Sequence, residues 1–143
     1  MFWSATALLV CIRASLRMRG YGKTQKWLQR RAQGHQEARA QEGPSARHYV
    51  DLACRMVKSA GHHGQMHPSC LEESLAVWYL LRVGGLQPKV RIGVRKSDEK
   101  FEAHAWAELD GVPLNEPEQN HKHYAAFDAA FDAEFPDPST EIP

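Results

Sequence analysis

The sequence of 143 residues has few cysteines, almost no net charge and no long apolar run. Cys11, Cys54 and Cys70 are an odd number without the close spacing of a disulfide-stabilised secreted domain, which predicts a cytoplasmic protein. A formal net charge of +1 gives no general case for a nucleic-acid partner. The apolar stretch Met1 to Ile12 is too short to span a bilayer and lacks the basic start and cleavage site of a signal peptide, so no stable membrane insertion is expected.

The sequence also has little that would hold a cofactor or a metal ion. It contains no Gly-rich phosphate-binding loop, so no nucleotide cofactor is expected. The nearest approach to a metal site is a set of histidines around Cys70: His62, His63 and His67 before it, with His121 and His123 further along. Their spacing fits none of the common zinc-finger patterns and there is no second cysteine nearby, so we expect solvated histidines and no metal.

Charge is unevenly distributed along the chain. Residues 1–47 carry nine Lys and Arg against two Glu, whereas residues 48–143 carry nine against fifteen Asp and Glu. A +7 amino-terminal part therefore precedes a −6 body. We divide the chain into a basic helical segment with its linker, residues 1–43, and a main domain, residues 44–143. The basic segment is a candidate docking surface or, equally, a solvated helix face.

Helical patterns dominate the first 83 residues. An amphipathic helix is expected to stop near Gly20, and a second, basic helix to run from Lys23 to about Ala32. Ser45 is a plausible N-cap for a further helix whose apolar stripe ends before a loop from Gly61 to Ser69. The run from Cys70 to Val83 is apolar around most of its circumference and is closed by two glycines, which indicates a buried central helix.

Further along, the hydrophobic period changes from that of a helix to that of strands. Apolar and polar residues alternate over residues 89–95 and again over residues 101–109. Asp110-Gly111 predicts a turn into a third strand from Val112 to about Glu116, and aromatic spacing from Tyr124 to Phe135 predicts a last helix. The fold class is therefore α+β, with helices packed on a small antiparallel sheet.

Two residues on the predicted helix and strand point to nucleophilic catalysis. Cys70 stands at the first turn of the central helix, where unsatisfied N–H groups and the positive end of the helix dipole favour a thiolate. His104 lies in the middle of a later strand, and the following hairpin returns Asn115 and Glu116 to its neighbourhood. A nucleophile, a base and a residue that orients the base therefore occur in order.

The third member depends on the register of that hairpin. If Asp110-Gly111 is a two-residue turn, Asn115 lies on the His104 side of the sheet and Glu116 points away. If the loop holds three residues, Glu116 lies directly opposite His104. The sequence leaves both arrangements open.

Four sequence blocks resemble one family. They are CLEESL from Cys70, RIGV from Arg91, AHAW around His104 and GVPLNE from Gly111. With the apolar and Arg-rich start of the chain, they are similar to the transglutaminase-like cysteine peptidase of lasso-peptide biosynthesis, often called the B protein. The resemblance covers most of the chain. It implies a papain-like fold and the removal of a leader peptide from a ribosomally made precursor.

Residue roles follow from the resemblance. Cys70 would be the nucleophile and His104 the general base. The family commonly has an Asp as third member in the strand after the histidine strand, whereas this sequence has Asn115 and Glu116 there. Glu116 matches by spacing within the family and is slightly favoured, and Asn115 matches by analogy with papain-like triads.

The resemblance also implies partners. The chain has no room for a winged-helix leader-recognition domain, so we expect a separate leader-recognition protein beside the lasso precursor. The ATP-dependent ring closure is expected to belong to a lasso cyclase that resembles asparagine synthetase. Two alternatives stay open from the residues: a catalytically inactive transglutaminase-like interaction module, and an amidase or acyltransferase of the same fold.

Overall fold

The computed structural model describes residues 2–33, 44–63, 67–114 and 125–126. The helices are α1 (Phe2–Gln33), α2 (Pro44–His63) and α3 (Cys70–Val83). The strands are β1 (Lys89–Ser97), β2 (Lys100–Leu109), β3 (Val112–Pro113) and β4 (Ala125–Ala126), in the sheet order β3-β2-β1-β4. The three helices pack on one another, and α3 also packs against β1 and β2. The predicted α+β class with an antiparallel sheet is confirmed.

α1 consists of two helical segments that meet at Gly20. Gly20 has φ 75° and ψ 176°, a backbone conformation that a residue without a Cβ adopts at little cost. The buried Thr24 hydroxyl donates a hydrogen bond to the Gly20 carbonyl oxygen at 2.8 Å and lies 2.9 Å from the Ser15 hydroxyl, which ties the two segments across the kink. The two predicted helices are confirmed, although no residues separate them.

The predicted ends of α2 are wrong. The helix begins at Pro44, whose fixed φ suits a first helical position, so Ser45 lies inside the first turn and is exposed. The helix then continues through Gly61 to His63, where a loop was predicted. Gly61 is buried, and a Cβ there would lie 2.9 Å from Pro68 Cγ. This glycine therefore serves the close approach of the chain that leads into α3, and it does not end the helix.

α3 is the buried central helix that the sequence predicts. Trp78 is fully buried within it, together with most of its apolar side chains. At its carboxyl end the Tyr49 hydroxyl of α2 donates a hydrogen bond to the Leu80 carbonyl oxygen at 2.7 Å. A Cβ at Gly84 would overlap the Tyr49 ring, so the glycine after α3 is required by the packing of α2.

Two tight turns set the register of the sheet. The β1–β2 hairpin turns at Asp98 and Glu99, and the β2–β3 hairpin at Asp110 and Gly111, with φ between 47° and 79° at all four residues. Positive φ at both central residues is typical of the two-residue turn that matches strand twist. Of the two registers that the sequence leaves open, the structure therefore has the two-residue turn.

The carboxyl-terminal part departs from the sequence prediction where it is described. β3 ends at Pro113, although the Leu114 amide still donates a hydrogen bond to the Ala107 carbonyl oxygen at 2.9 Å. Ala125–Ala126 pairs with β1 as β4, so the predicted helix is wrong at these two residues. The spacing of the aromatic residues contains no information about the edge of β1, where the backbone N–H and C=O groups can pair with a further strand. The rest of that predicted helix lies outside the described residues.

Candidate functional site

Cys70 is the first residue of α3, and a capping box explains why the helix begins there. The Ser69 hydroxyl accepts a hydrogen bond from the Glu72 amide at 3.3 Å, and the Ser69 amide donates one to Glu72 Oε2 at 2.8 Å. The Ser74 hydroxyl also donates to the Cys70 carbonyl oxygen at 2.6 Å. The predicted position of Cys70 at the start of the central helix is confirmed, in a turn whose N–H groups favour an anion.

Arg13 of α1 reaches the same turn from another part of the chain. Its Nε lies 3.0 Å from Glu72 Oε1, and its Nη2 lies 3.0 Å from Glu72 Oε2 and 2.7 Å from the His67 carbonyl oxygen. Burial would raise the pKa of Glu72, but the hydrogen bonds from Arg13 and from the Ser69 amide outweigh it and lower that pKa. One guanidinium therefore holds both the capping residue and the loop before α3.

His104 occupies the centre of β2, opposite Gly93 of β1. It is half-buried, and its ring stacks on that of Trp106 with 6.1 Å between the ring centroids and 27° between the planes. As a glycine, Gly93 contributes no side chain next to the imidazole. α3 packs against β2, so the elements that carry Cys70 and His104 are neighbours.

Trp106 is held by a carboxylate on its own strand. Its indole Nε1 donates a hydrogen bond to Glu108 Oε1 at 2.9 Å, and Arg91 Nε donates to Glu108 Oε2 at 3.2 Å. Alternation along β2 puts His104, Trp106 and Glu108 on one face, whereas Ala107 belongs to the core formed with the helices. The restrained indole limits the freedom of the His104 ring.

The candidates for the third member, Asn115 and Glu116, lie outside the described residues. The two-residue turn at Asp110 and Gly111 is the arrangement for which the sequence argument puts Asn115 on the His104 side. The roles of both residues therefore stay predictions. The observed turn favours Asn115, whereas the spacing within the family favours Glu116.

A comparison with protein families bears on the whole arrangement. The profile of the transglutaminase-like superfamily matches residues 8–127, a range that contains Cys70, His104 and most of α1. The chain belongs to the transglutaminase-like superfamily. Comparisons with curated proteins and with solved structures gave no match. Membership is compatible with cysteine-dependent chemistry at Cys70.

The other two cysteines of this transglutaminase-like chain lie in different surroundings. Cys54 of α2 is half-buried against the core, and burial, with a smaller effect of Asp51, raises its pKa to about 11. At neutral pH its thiol is therefore protonated, and Cys54 serves as a packing residue of the core. Cys11 is exposed on α1.

The predicted histidine loop is split between helix and loop in the structure. His62 and His63 are exposed at the end of α2, and His67 is exposed before α3. Within residues 2–33, 44–63, 67–114 and 125–126, no group of three His, Cys, Asp or Glu side chains could hold a metal ion. His121 and His123 lie outside these ranges. Within the same ranges, none of the helices has the length and the apolarity that crossing a membrane requires.

Sequence reasoning missed three residues of this region: Arg13 as a contact of α3, Glu72 and Glu108. Glu72 had a visible signal, because Ser69-x-x-Glu72 before an apolar run is the signature of a capping box. Glu108 lies two residues from Trp106 on a predicted strand, a spacing that puts both on one face. Arg13 had no such signal, because it is 59 residues from Glu72 in the chain.

Proposed function

We propose that this protein is a cysteine peptidase that removes the leader from a lasso-peptide precursor during maturation. The observation that carries the proposal is Cys70 in the capped first turn of the buried helix α3. The role of His104 as its base follows from the resemblance. The resemblance of four sequence blocks to the lasso-peptide B protein supplies the substrate class. Membership of the transglutaminase-like superfamily is the coarser statement on which this proposal stands.

In the proposed reaction His104 accepts the Cys70 thiol proton, and the thiolate attacks the carbonyl carbon at the end of the leader. Backbone N–H groups at the start of α3 stabilise the negative oxygen of the tetrahedral intermediate. The C–N bond then breaks, His104 returns the proton to the leaving amine, and the leader is held as a thioester. Water hydrolyses that thioester and restores the thiol. The freed core amine is then available for ring closure.

Other components of the proposal follow the resemblance. Asn115 or Glu116 would orient the His104 ring. A separate leader-recognition protein would deliver the precursor, and a cyclase similar to asparagine synthetase would close the ring after cleavage. The whole sequence of reactions is placed in the cytoplasm, where a reduced thiol is available.

The test is to incubate the protein with a candidate precursor, with and without a leader-binding protein, and to analyse the products by mass spectrometry. We expect the leader and the free core to appear with the wild type and with Cys11→Ala and Cys54→Ala. We expect neither with a folded Cys70→Ala variant. Cleavage by that variant would overturn the mechanism. Transfer of the acyl group to an added amine in place of hydrolysis would identify an acyltransferase of the same fold.

A further inference from the structure

The amino-terminal helix takes part in the region around Cys70. Ala5, Leu9 and Ile12 of α1 are fully buried in the core that α3 also forms. From the next position, Arg13 extends to the amino-terminal end of α3, where it contacts Glu72 and the His67 carbonyl oxygen. The apolar face of α1 thus fixes the place from which the guanidinium acts.

Arg13 contacts two residues, His67 before the N-cap residue Ser69 and Glu72 after it. Glu72 is only 8% exposed, and its carboxylate also accepts the Ser69 amide one residue before Cys70. Both guanidinium contacts to the carboxylate are 3.0 Å, a two-point geometry that fixes its orientation. The 2.7 Å bond to the His67 carbonyl oxygen then holds the incoming loop.

Charge gives this arrangement a chemical consequence. A negative charge in the first turn of a helix weakens the positive potential that this turn offers to another anion, unless a cation neutralises it. Arg13 pairs with Glu72 directly, and Arg17 adds a weaker attraction from the next turn of α1. His67 before α3, Glu73 on α3 and His104 on β2 are further titratable residues on the segments around this turn.

We propose that Arg13 and Glu72 form a positioning pair that holds the first turn of α3 and keeps Cys70 reactive. The α1 helix is thereby part of the catalytic domain in function. The inference rests on the proposed role of Cys70 as nucleophile. Neither residue touches the reacting atoms in this assignment: Glu72 caps the helix, and Arg13 neutralises and orients Glu72.

The test measures the rate of Cys70 alkylation by iodoacetamide from pH 5 to pH 10 in the full chain, with each cysteine followed by mass spectrometry. In Arg13→Gln the unpaired Glu72 carboxylate and the loosened first turn should slow the alkylation of Cys70 at pH 7 roughly tenfold. The double variant Arg13→Gln with Glu72→Gln should return towards the wild type, because the glutamine amide oxygen still accepts the Ser69 amide without a charge. Arg13→Lys should lie between, because lysine keeps the charge and loses the two-point geometry.

A matched control is Arg95→Gln, which breaks the exposed Arg95–Glu102 pair at the far end of the hairpin. It should leave the alkylation profile unchanged. A folded Arg13→Gln protein with a wild-type profile and only a lower melting temperature would overturn the proposal. If Arg13→Gln does not fold, Arg13→Lys decides, because a wild-type profile in that folded variant would also overturn it. The readout needs no peptide substrate, so failure of leader cleavage in the wild type would refute the proposed function and leave this inference standing.

Discussion

Two regions of the molecule contain an arginine–glutamate pair with similar atomic distances and different surroundings. At the start of α3, Arg13 and Glu72 lie 3.0 Å apart with 27% and 11% of their side chains exposed. At the tip of the β1–β2 hairpin, Arg95 and Glu102 lie 2.7 Å apart with 40% and 48% exposed. The shorter distance belongs to the more solvated pair, so distance alone does not rank their importance.

The surroundings explain the difference. The Arg13–Glu72 pair joins two elements distant in the chain, and its members also bind the Ser69 amide and the His67 carbonyl oxygen. The Arg95–Glu102 pair joins residues directly opposite each other in one hairpin whose backbone already holds them together. An exposed pair of that kind contributes between 0 and about 1 kcal/mol, because water and salt screen it. We therefore expect substitutions near Cys70 to matter far more than those at the hairpin tip.

The largest contrast is expected on a single strand. His104 and Glu102 lie two residues apart on one face of β2, with Glu102 towards the tip. His104→Ala should lower the rate of leader cleavage by about 10² to 10⁴ because it removes the general base, whereas Glu102→Ala should change it less than twofold. Single-turnover cleavage checks both. A variant with both Cys70→Ala and His104→Ala should cleave no more slowly than either single variant. Additive losses in cleavage rate would contradict a joint role of the two residues.

The next contrast is in stability. Arg13→Ala should lower the free energy of unfolding more than Arg95→Ala does, because it leaves a mostly buried carboxylate without its cation. Arg95→Ala should lower it by less than about 1 kcal/mol. Urea unfolding followed by circular dichroism measures both values. Equal effects would show that burial does not distinguish the two pairs.

The same pair predicts a pH dependence. The pKa of Glu72 is lowered in the folded protein, so its stabilising contribution is complete above the unfolded carboxyl value of about 4.3. The contribution is lost as the pH falls through the folded value. The difference in unfolding free energy between the wild type and Arg13→Ala should therefore be constant from pH 6 to 8 and shrink below about pH 4. A difference that persists undiminished at pH 2.5 would exclude Glu72 as the partner that matters.

The two regions also differ in how far the sequence reveals them. The β1–β2 hairpin followed from the alternation of apolar and polar residues over residues 89–95 and 101–109, because the strand period is local. The start of α3 could be predicted in part. Pro68-Ser69 and the apolar run located the first residue of the helix, and the Ser69-x-x-Glu72 spacing in the sequence is that of a capping box. The Arg13 contact could not be predicted, since no local rule joins residues that are 59 positions apart.

The points that the sequence reasoning predicted wrongly or left open have the same origin. Glycine is typical of a helix end, which is why the helix was predicted to stop before Gly61. Gly61 instead lies inside α2, where Pro68 packs against it. The register of the second hairpin depended on whether Asp110 adopts a positive φ, which the sequence permits without requiring, and the structure has it at 52°. Tertiary packing and backbone conformation decided these points, whereas periodicity and capping decided the elements themselves.

The identity of the residue that orients His104 is the next prediction, with an effect of roughly tenfold. With the two-residue turn observed, strand alternation favours Asn115 on the His104 side, so Asn115→Ala should cost about tenfold in cleavage rate, or about 1.4 kcal/mol of barrier. Glu116→Ala should cost less. The reverse order would support the family spacing that favours Glu116. Wild-type rates in both variants would indicate a cysteine and histidine dyad.

The smallest effect is expected at the exposed basic face of α1. Arg13 and Arg17 both act on Glu72, so a test of partner docking must avoid them. Arg19, Lys23 and Lys26 are exposed, and reversing all three to Glu should slow cleavage with a leader-binding partner by about threefold to tenfold, because charge complementarity mainly sets the association rate. Alkylation of Cys70 in the isolated variant should match the wild type, which separates docking from damage to the site. Unchanged partner-dependent cleavage would mean that these three cations only solvate the helix, and α1 would then contribute to the reaction through Arg13 alone.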